Sequence, residues 1–134
     1  TEGTPGGTEH ILLVDDEKNV REAVAHTMEL SGYRVVAAAN GEEALRFAAM
    51  HAGLLHLLLT DVVMPGISGR ELANRLSRIR PQTRVLFMSG HTEDAILRHG
   101  VRNGEVAFLQ KPVTPGALLR KVREVLDAAA PHGL

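Results

Sequence analysis

Five polar residues that could do chemistry together each follow a short apolar run. They are Asp15 and Asp16 after the first run, Asp61 after the third, Ser89 after the fourth and Lys111 after the fifth. If these runs are parallel strands, the five side chains meet at one rim of the sheet. Three carboxylates there would repel one another unless a cation lies between them. Their oxygens suit Mg²⁺, which favours one or two carboxylates plus phosphate oxygens.

A hydroxyl and an ammonium group facing such a cation would complete a site for phosphoryl transfer. The cation and Lys111 would neutralise phosphate oxygens, Ser89 would donate a hydrogen bond, and one carboxylate would attack phosphorus in line. Taken alone, each residue has an ordinary explanation, since an Asp at a strand end can cap a helix or open a turn. The five residues together favour the metal and phosphoryl site.

The elements that would position these residues alternate along the chain. Apolar runs typical of buried strands occupy residues 11–14, 33–39, 54–60, 85–88 and 106–109. Between and after them, helical patterns begin near Glu17, after the capping boxes of Asn40 and Ser68, near Glu93, and at Pro115, which follows the capping residue Thr114. This alternation predicts an α/β fold with a parallel sheet and helices on both of its faces.

The composition limits the class of protein. The chain has 134 residues, of which 44% are hydrophobic, and this suits one folded domain. The formal net charge of −1 gives no case for direct nucleic-acid binding. The absence of cysteine excludes disulfides and thiolate chemistry and favours a cytoplasmic location.

The ends of the chain differ from its centre. Residues 1–9 are rich in Gly, Thr and Pro and are predicted to be a flexible linker. Residues 10–127 form the predicted domain, and residues 128–134 a frayed tail. No apolar run is long enough to cross a bilayer, so we expect no membrane contact by this domain.

Four stretches that contain the polar residues resemble the receiver domain of bacterial response regulators and hybrid histidine kinases. They are Ile-Leu-Leu-Val-Asp-Asp-Glu (11–17), Leu-Leu-Leu-Thr-Asp-Val-Val-Met-Pro-Gly-Ile-Ser-Gly (57–69), Val-Leu-Phe-Met-Ser-Gly (85–90) and Phe-Leu-Gln-Lys-Pro (108–112). Their order and spacing match the family over residues 10–126. The resemblance implies a flavodoxin-like, doubly wound, five-stranded parallel sheet with strand order 2-1-3-4-5 and five helices.

The resemblance also implies a role for each acidic residue. Asp61 matches the phospho-acceptor of the family, and Asp15 and Asp16 match its acidic metal pair. The backbone carbonyl of Val63 would be a further ligand of Mg²⁺ or Mn²⁺. Val63 and His91 lie at positions that tune the lifetime of the phosphoryl group in this family.

The remaining site residues match family positions near the fourth and fifth strands. Ser89 matches the hydroxyl that follows the phosphoryl group, in place of the commoner Thr, and Lys111 matches the lysine that pairs with that group. Phe108 lies where the family has its rotating switch aromatic. The Lys111–Pro112 peptide bond is expected to be cis.

The partners implied by the resemblance are a histidine kinase or a histidine phosphotransfer domain as phosphoryl donor, and an unknown output partner. Such a receiver assists its own phosphorylation and dephosphorylation and is not a stand-alone enzyme. Residues 87–92 and 106–126 look most like receivers at the C-termini of hybrid sensor kinases. A stand-alone or truncated response regulator stays an alternative.

Two other functions are open to a chain with these residues. A Mg²⁺-dependent phosphatase can also work through an aspartyl-phosphate, but it usually has a second carboxylate where this chain has Val63. A degenerate receiver could serve only for docking, although the complete set of site residues argues against this.

Overall fold

Five parallel strands form one sheet in the order β2-β1-β3-β4-β5. They are β1 (His10–Val14), β2 (Arg34–Ala38), β3 (Leu57–Asp61), β4 (Arg84–Ser89) and β5 (Ala107–Gln110). The computed structural model describes residues 5–90 and 107–128. The predicted α/β fold and its strand order are confirmed.

Four helices lie in the described residues. They are α1 (Lys18–Leu30), α2 (Gly41–Met50), α3 (Gly69–Ile79) and α4 (Pro115–Asp127). The helix predicted at residues 93–99 lies outside the described residues, as does His91, so α4 is the helix that was predicted as the fifth. None of the helices in the described ranges combines the length and the apolar composition that crossing a membrane requires.

Three of these helices begin at the predicted capping residues. The side-chain oxygens of Asn40, Ser68 and Thr114 each accept a hydrogen bond from a backbone N–H in the first turn, at 2.8, 3.1 and 3.3 Å. Each bond satisfies a donor that has no partner within the helix. Together these caps fix where α2, α3 and α4 start.

The sheet is covered by helices on both faces. Ile11 and Leu13 pack with residues of α1 and α4, whereas Leu12 and Val14 pack with residues of α2 and α3. Every other side chain of a strand points to the same face, so a strand covered on both sides is apolar at every position. This arrangement explains the continuous apolar run of β1.

A single arginine closes the end of α2. The Arg80 guanidinium donates hydrogen bonds to the backbone carbonyls of Ala48, His51 and Gly53, at 2.5–3.2 Å. The last carbonyls of a helix have no intrahelical partner, and Arg80 supplies donors for this end.

We therefore expect Arg80→Ala to destabilise the domain by about 2 kcal/mol, because several carbonyls lose charged donors together. A lower midpoint of urea unfolding, with an unchanged dependence of the unfolding free energy on urea concentration, would measure this loss of stability. Arg78→Ala, at an exposed position of α3, is the matched control and should stay within about 0.5 kcal/mol of the parent protein. Equal midpoints for the two variants would contradict the role of Arg80.

Candidate functional site

The predicted site residues stand at the C-terminal rim of the sheet. Asp15 follows β1, Asp61 ends β3, and Ser89 ends β4. Lys111 comes directly after β5, and its backbone N–H donates to the Ser89 carbonyl at 2.8 Å. Parallel pairing of the strands thus brings residues from four strand ends to one edge.

Three carboxylates form a cluster at this rim. Asp15, Asp16 and Asp61 each offer an oxygen, and these oxygens all lie within 4.8 Å of one another. Asp15 and Asp61 are buried, whereas Asp16 is exposed. This arrangement has the donor set and the open side that a hard divalent cation requires.

The Lys111 ammonium lies among the carboxylates. Its Nζ is 3.1 Å from Asp15 Oδ2, 3.3 Å from Asp61 Oδ2 and 3.4 Å from Glu17 Oε1. Burial lowers the pKa of Lys111, but contact with Asp15 and the charge of Asp61 outweigh burial and hold this pKa above its usual value. Lys111 is therefore a fixed positive charge at neutral pH.

The Asp61 carboxyl has a raised pKa. Burial, together with the charge of Asp15, holds this pKa at about 6 instead of 3.8. Lys111 and the backbone N–H of Val62 act in the opposite direction. A second positive charge at the cluster would favour the ionised carboxylate, which is the form able to act as a nucleophile.

The backbone around the two buried carboxylates is held firmly. Asp15 Oδ1 accepts the Glu17 N–H at 2.9 Å, and the Asp15 carbonyl accepts a bond from Arg21 Nη1 at 2.7 Å. Asp61 Oδ1 accepts the Val62 N–H at 2.9 Å. These bonds orient one oxygen of each carboxylate and leave Oδ2 of each facing Lys111.

Gly69, the first residue of α3, lies directly behind Asp61. A Cβ on Gly69 would collide with the Asp61 carbonyl oxygen and would lie 3.1 Å from Val62 Cα. The Gly69 N–H donates to the Val62 carbonyl at 2.8 Å. Only a residue without a side chain permits this contact between α3 and the end of β3.

Four further predicted features lie at or near the C-terminal ends of β3, β4 and β5. Ser89 is completely buried, and Phe108 is half-buried against Val62 and Phe87. The Lys111–Pro112 bond is cis, the geometry that the resemblance implied. Val63 is 56% exposed. The switching role of Phe108 and the tuning role of Val63 stay predictions.

Sequence reasoning missed three residues that shape the site. Glu17 approaches Lys111, Arg21 holds the Asp15 carbonyl, and Gly69 supports Asp61. Glu17 carries a usable signal, because it directly follows the acidic pair. Arg21 and Gly69 carry none, since their contacts depend on how the helices after β1 and β3 approach the rim.

The model of the response regulator receiver domain family matches residues 11–123. The chain belongs to this family. It is therefore a receiver domain of the kind found in two-component systems.

Two relatives and one solved structure illustrate the similarity. The chain is 42% identical over 122 residues to the transcriptional activator protein ExaE of Pseudomonas putida, covering 90% of this chain and 56% of that one. It is 35% identical over 121 residues to the sensor kinase CckA of Brucella abortus, covering 90% and 13%. The receiver domain from the hybrid histidine kinase CckA matches with 36% identity and a TM-score of 0.73, covering 88% and 99%.

This receiver domain spans about half of ExaE and a small part of CckA. The relatives include both regulators and a kinase, so the similarity assigns a receiver and leaves the parent architecture open.

The rim of the receiver domain fits a divalent cation. Asp15 Oδ2 is buried and makes no hydrogen bond to any described residue, although Lys111 Nζ lies 3.1 Å away as an ion-pair partner. A buried carboxylate oxygen without a hydrogen bond is costly. A metal ion bound by Asp15, Asp16 and Asp61 would remove that cost.

Proposed function

We propose that this receiver domain accepts a phosphoryl group onto Asp61 in a Mg²⁺-dependent step. The observation that carries the proposal is the convergence of three carboxylate oxygens within 4.8 Å, with the Lys111 ammonium 3.3 Å from Asp61 Oδ2. Buried carboxylates beside a fixed ammonium suit a reaction in which negative charge develops on phosphate oxygens.

Each residue has a defined part in this proposal. Asp15, Asp16, Asp61 and the Val63 carbonyl would hold Mg²⁺, which when bound neutralises phosphate charge. An Asp61 oxygen attacks phosphorus, and the N–P bond of a donor phosphohistidine breaks as the O–P bond forms. The electron pair leaves with the imidazole nitrogen. Lys111 pairs with one phosphoryl oxygen, and Ser89 donates a hydrogen bond to another.

A conformational switch would follow from the negative charge that phosphorylation adds at Asp61. Movement of Ser89 toward the phosphoryl group would free space for Phe108, which packs in the same layer next to β4. The surface beside β5 and α4 would then change for an output partner. The donor is a histidine kinase or a phosphotransfer domain. We favour a hybrid sensor kinase as the parent protein, supported by the similarity to CckA.

Intact mass measured after incubation with Mg²⁺ and acetyl phosphate tests the acceptor chemistry. We expect one phosphoryl adduct in the parent protein, none after chelation of Mg²⁺, and none in Asp61→Ala. Asp127→Ala, which removes a carboxylate from the opposite end of the domain, is the control and should label like the parent. Stoichiometric labelling of Asp61→Ala would exclude Asp61 as the acceptor.

A further inference from the structure

The Arg123 guanidinium of α4 binds two carboxylates and the N-terminal lead-in at once. Nη2 and Nε donate to the Asp127 carboxylate at 2.8 and 3.0 Å, and Nη2 donates to Glu9 Oε2 at 2.7 Å. Nη1 donates to the Gly6 carbonyl at 3.0 Å and approaches Glu9 Oε1 and the Tyr33 hydroxyl. All three nitrogens of the planar guanidinium therefore donate hydrogen bonds, and these bonds leave it on more than one side.

Glycines face each other where the lead-in meets the turn between α1 and β2. The Gly7 N–H donates to the Ser31 carbonyl at 3.1 Å. A Cβ on Gly6 would collide with that same carbonyl oxygen, and a Cβ on Gly32, whose φ is +102°, would collide with the Gly7 carbonyl. Backbone thus packs directly on backbone, which residues with side chains would prevent.

These contacts exceed those of an ordinary surface ion pair. An exposed pair contributes little, because solvent screens it and both side chains lose freedom. Here the side chains of Arg123 and Glu9 are only 24% and 23% exposed, and the ion pair is accompanied by backbone hydrogen bonds. The hydrogen bond from Arg123 also holds the pKa of Glu9 below its usual value, against the effect of burial.

The contacts lie at the N-terminal ends of the strands, whereas the acidic rim lies at their C-terminal ends. Glu9 precedes β1 and Tyr33 precedes β2, whereas Asp15 and Asp61 follow the strands β1 and β3. Gly6 therefore lies beside the C-terminal part of α4, away from the rim.

We propose that residues 6–9 form a clasp, which docks on Arg123 and the α1–β2 turn and fixes upstream chain to the far side of the domain from Asp61. Residues 1–9 were predicted to be a flexible linker, and in the structure Gly6, Gly7 and Glu9 make specific contacts. The clasp does not depend on the chemistry proposed for Asp61. It keeps the acidic rim accessible to a donor whatever domain precedes it.

Amide order parameters and hydrogen exchange of the ¹⁵N-labelled chain test the clasp. In the parent protein we expect an order parameter of about 0.85 at the Gly7 amide, as in rigid backbone, and exchange at least about tenfold slower than in an open chain. In Arg123→Met the order parameter should fall below about 0.6 while the amides of β1 and β3 stay protected.

Two further variants make the test specific. Arg120→Met removes an exposed arginine from the same helix and should leave Gly7 unchanged. Gly6→Ala keeps Arg123 but blocks the approach to Ser31, and it should release Gly7 even if Arg123→Met does not fold. A mobile Gly7 amide in the parent protein, or a rigid one in both Arg123→Met and Gly6→Ala, would overturn the proposal.

Discussion

Replacing Gly69 with alanine should destabilise the domain by about 3 kcal/mol, at the upper end of ordinary overpacking costs. The added Cβ would collide with the Asp61 carbonyl oxygen and lie 3.0 Å from the Asp61 carbonyl carbon. Both are backbone atoms of a central strand, so neither can move without disturbing the sheet. Relief would require α3 to move away from β3, and Asp61 would lose its support.

Gly116→Ala in the first turn of α4 is the matched control. The atoms nearest to a Cβ at this position belong to the flexible guanidinium of Arg120, at 3.2 Å. Alanine is the better helix former, so this variant should be neutral or up to about 1 kcal/mol more stable. Urea unfolding of both variants measures the contrast, and a Gly69→Ala variant as stable as Gly116→Ala would show that α3 does not press on Asp61.

The Asp61→Asn variant should be more stable than the parent protein at pH 8 in the absence of Mg²⁺. The carboxyl in the folded chain has a pKa of about 6, above the reference value of 3.8. The folded state therefore binds this proton more tightly than the unfolded state, and folding loses stability as the pH rises from 3.8 through 6. The difference of about two pH units corresponds to a penalty of up to about 3 kcal/mol.

An asparagine carries no charge and its oxygen can still accept the Val62 N–H. We therefore expect its advantage to be full above pH 6, to fall to about half at pH 5, and to disappear below 3.8. Unfolding free energies measured from pH 4 to 8 would trace this curve. A parent protein that is more stable than Asp61→Asn at pH 8 without Mg²⁺ would contradict it.

Asp16→Asn and added Mg²⁺ complete the comparison. Asp16 is exposed, so its neutralisation should change the metal-free stability less than neutralisation of Asp61. A cation at 100 times its dissociation constant would stabilise the folded parent by about 2.7 kcal/mol. Mg²⁺ should therefore remove most of the advantage of Asp61→Asn over the parent protein at pH 8.

Much of the fold was predictable because strands covered on both faces leave continuous apolar runs. The run at 54–60 nevertheless predicted too early a start for β3, which begins at Leu57. Leu54 is 66% exposed, and the Leu55 carbonyl accepts a bond from the Thr83 hydroxyl at 2.6 Å. Hydrophobicity alone cannot distinguish the residues of a strand from apolar residues in the loop that leads into it.

The residues of the site could be predicted where the order and direction of the strands determine their position. Residues directly after parallel strands meet at one rim, and Asp15, Asp61 and Lys111 do so. Contacts that depend on the path of a loop or helix carry no local signal. Gly69 reaches Asp61 through the approach of α3, and Arg123 binds Gly6 across 117 positions of sequence. The lead-in looked like a linker because its contacts use backbone carbonyls and glycines instead of apolar side chains.

The shared binding of Gly6 and Asp127 to one guanidinium has a consequence for how the domain can be combined with others. Arg123 contacts both, so the described chain enters and leaves the fold at the same corner. Domains whose ends lie together tolerate insertion into a loop of another protein, and fusion at either end, without rearrangement of the core. The geometry at Arg123 thus makes this receiver a transferable unit, in which neighbours can be exchanged at one corner while the rim that carries Asp15 and Asp61 keeps its structure.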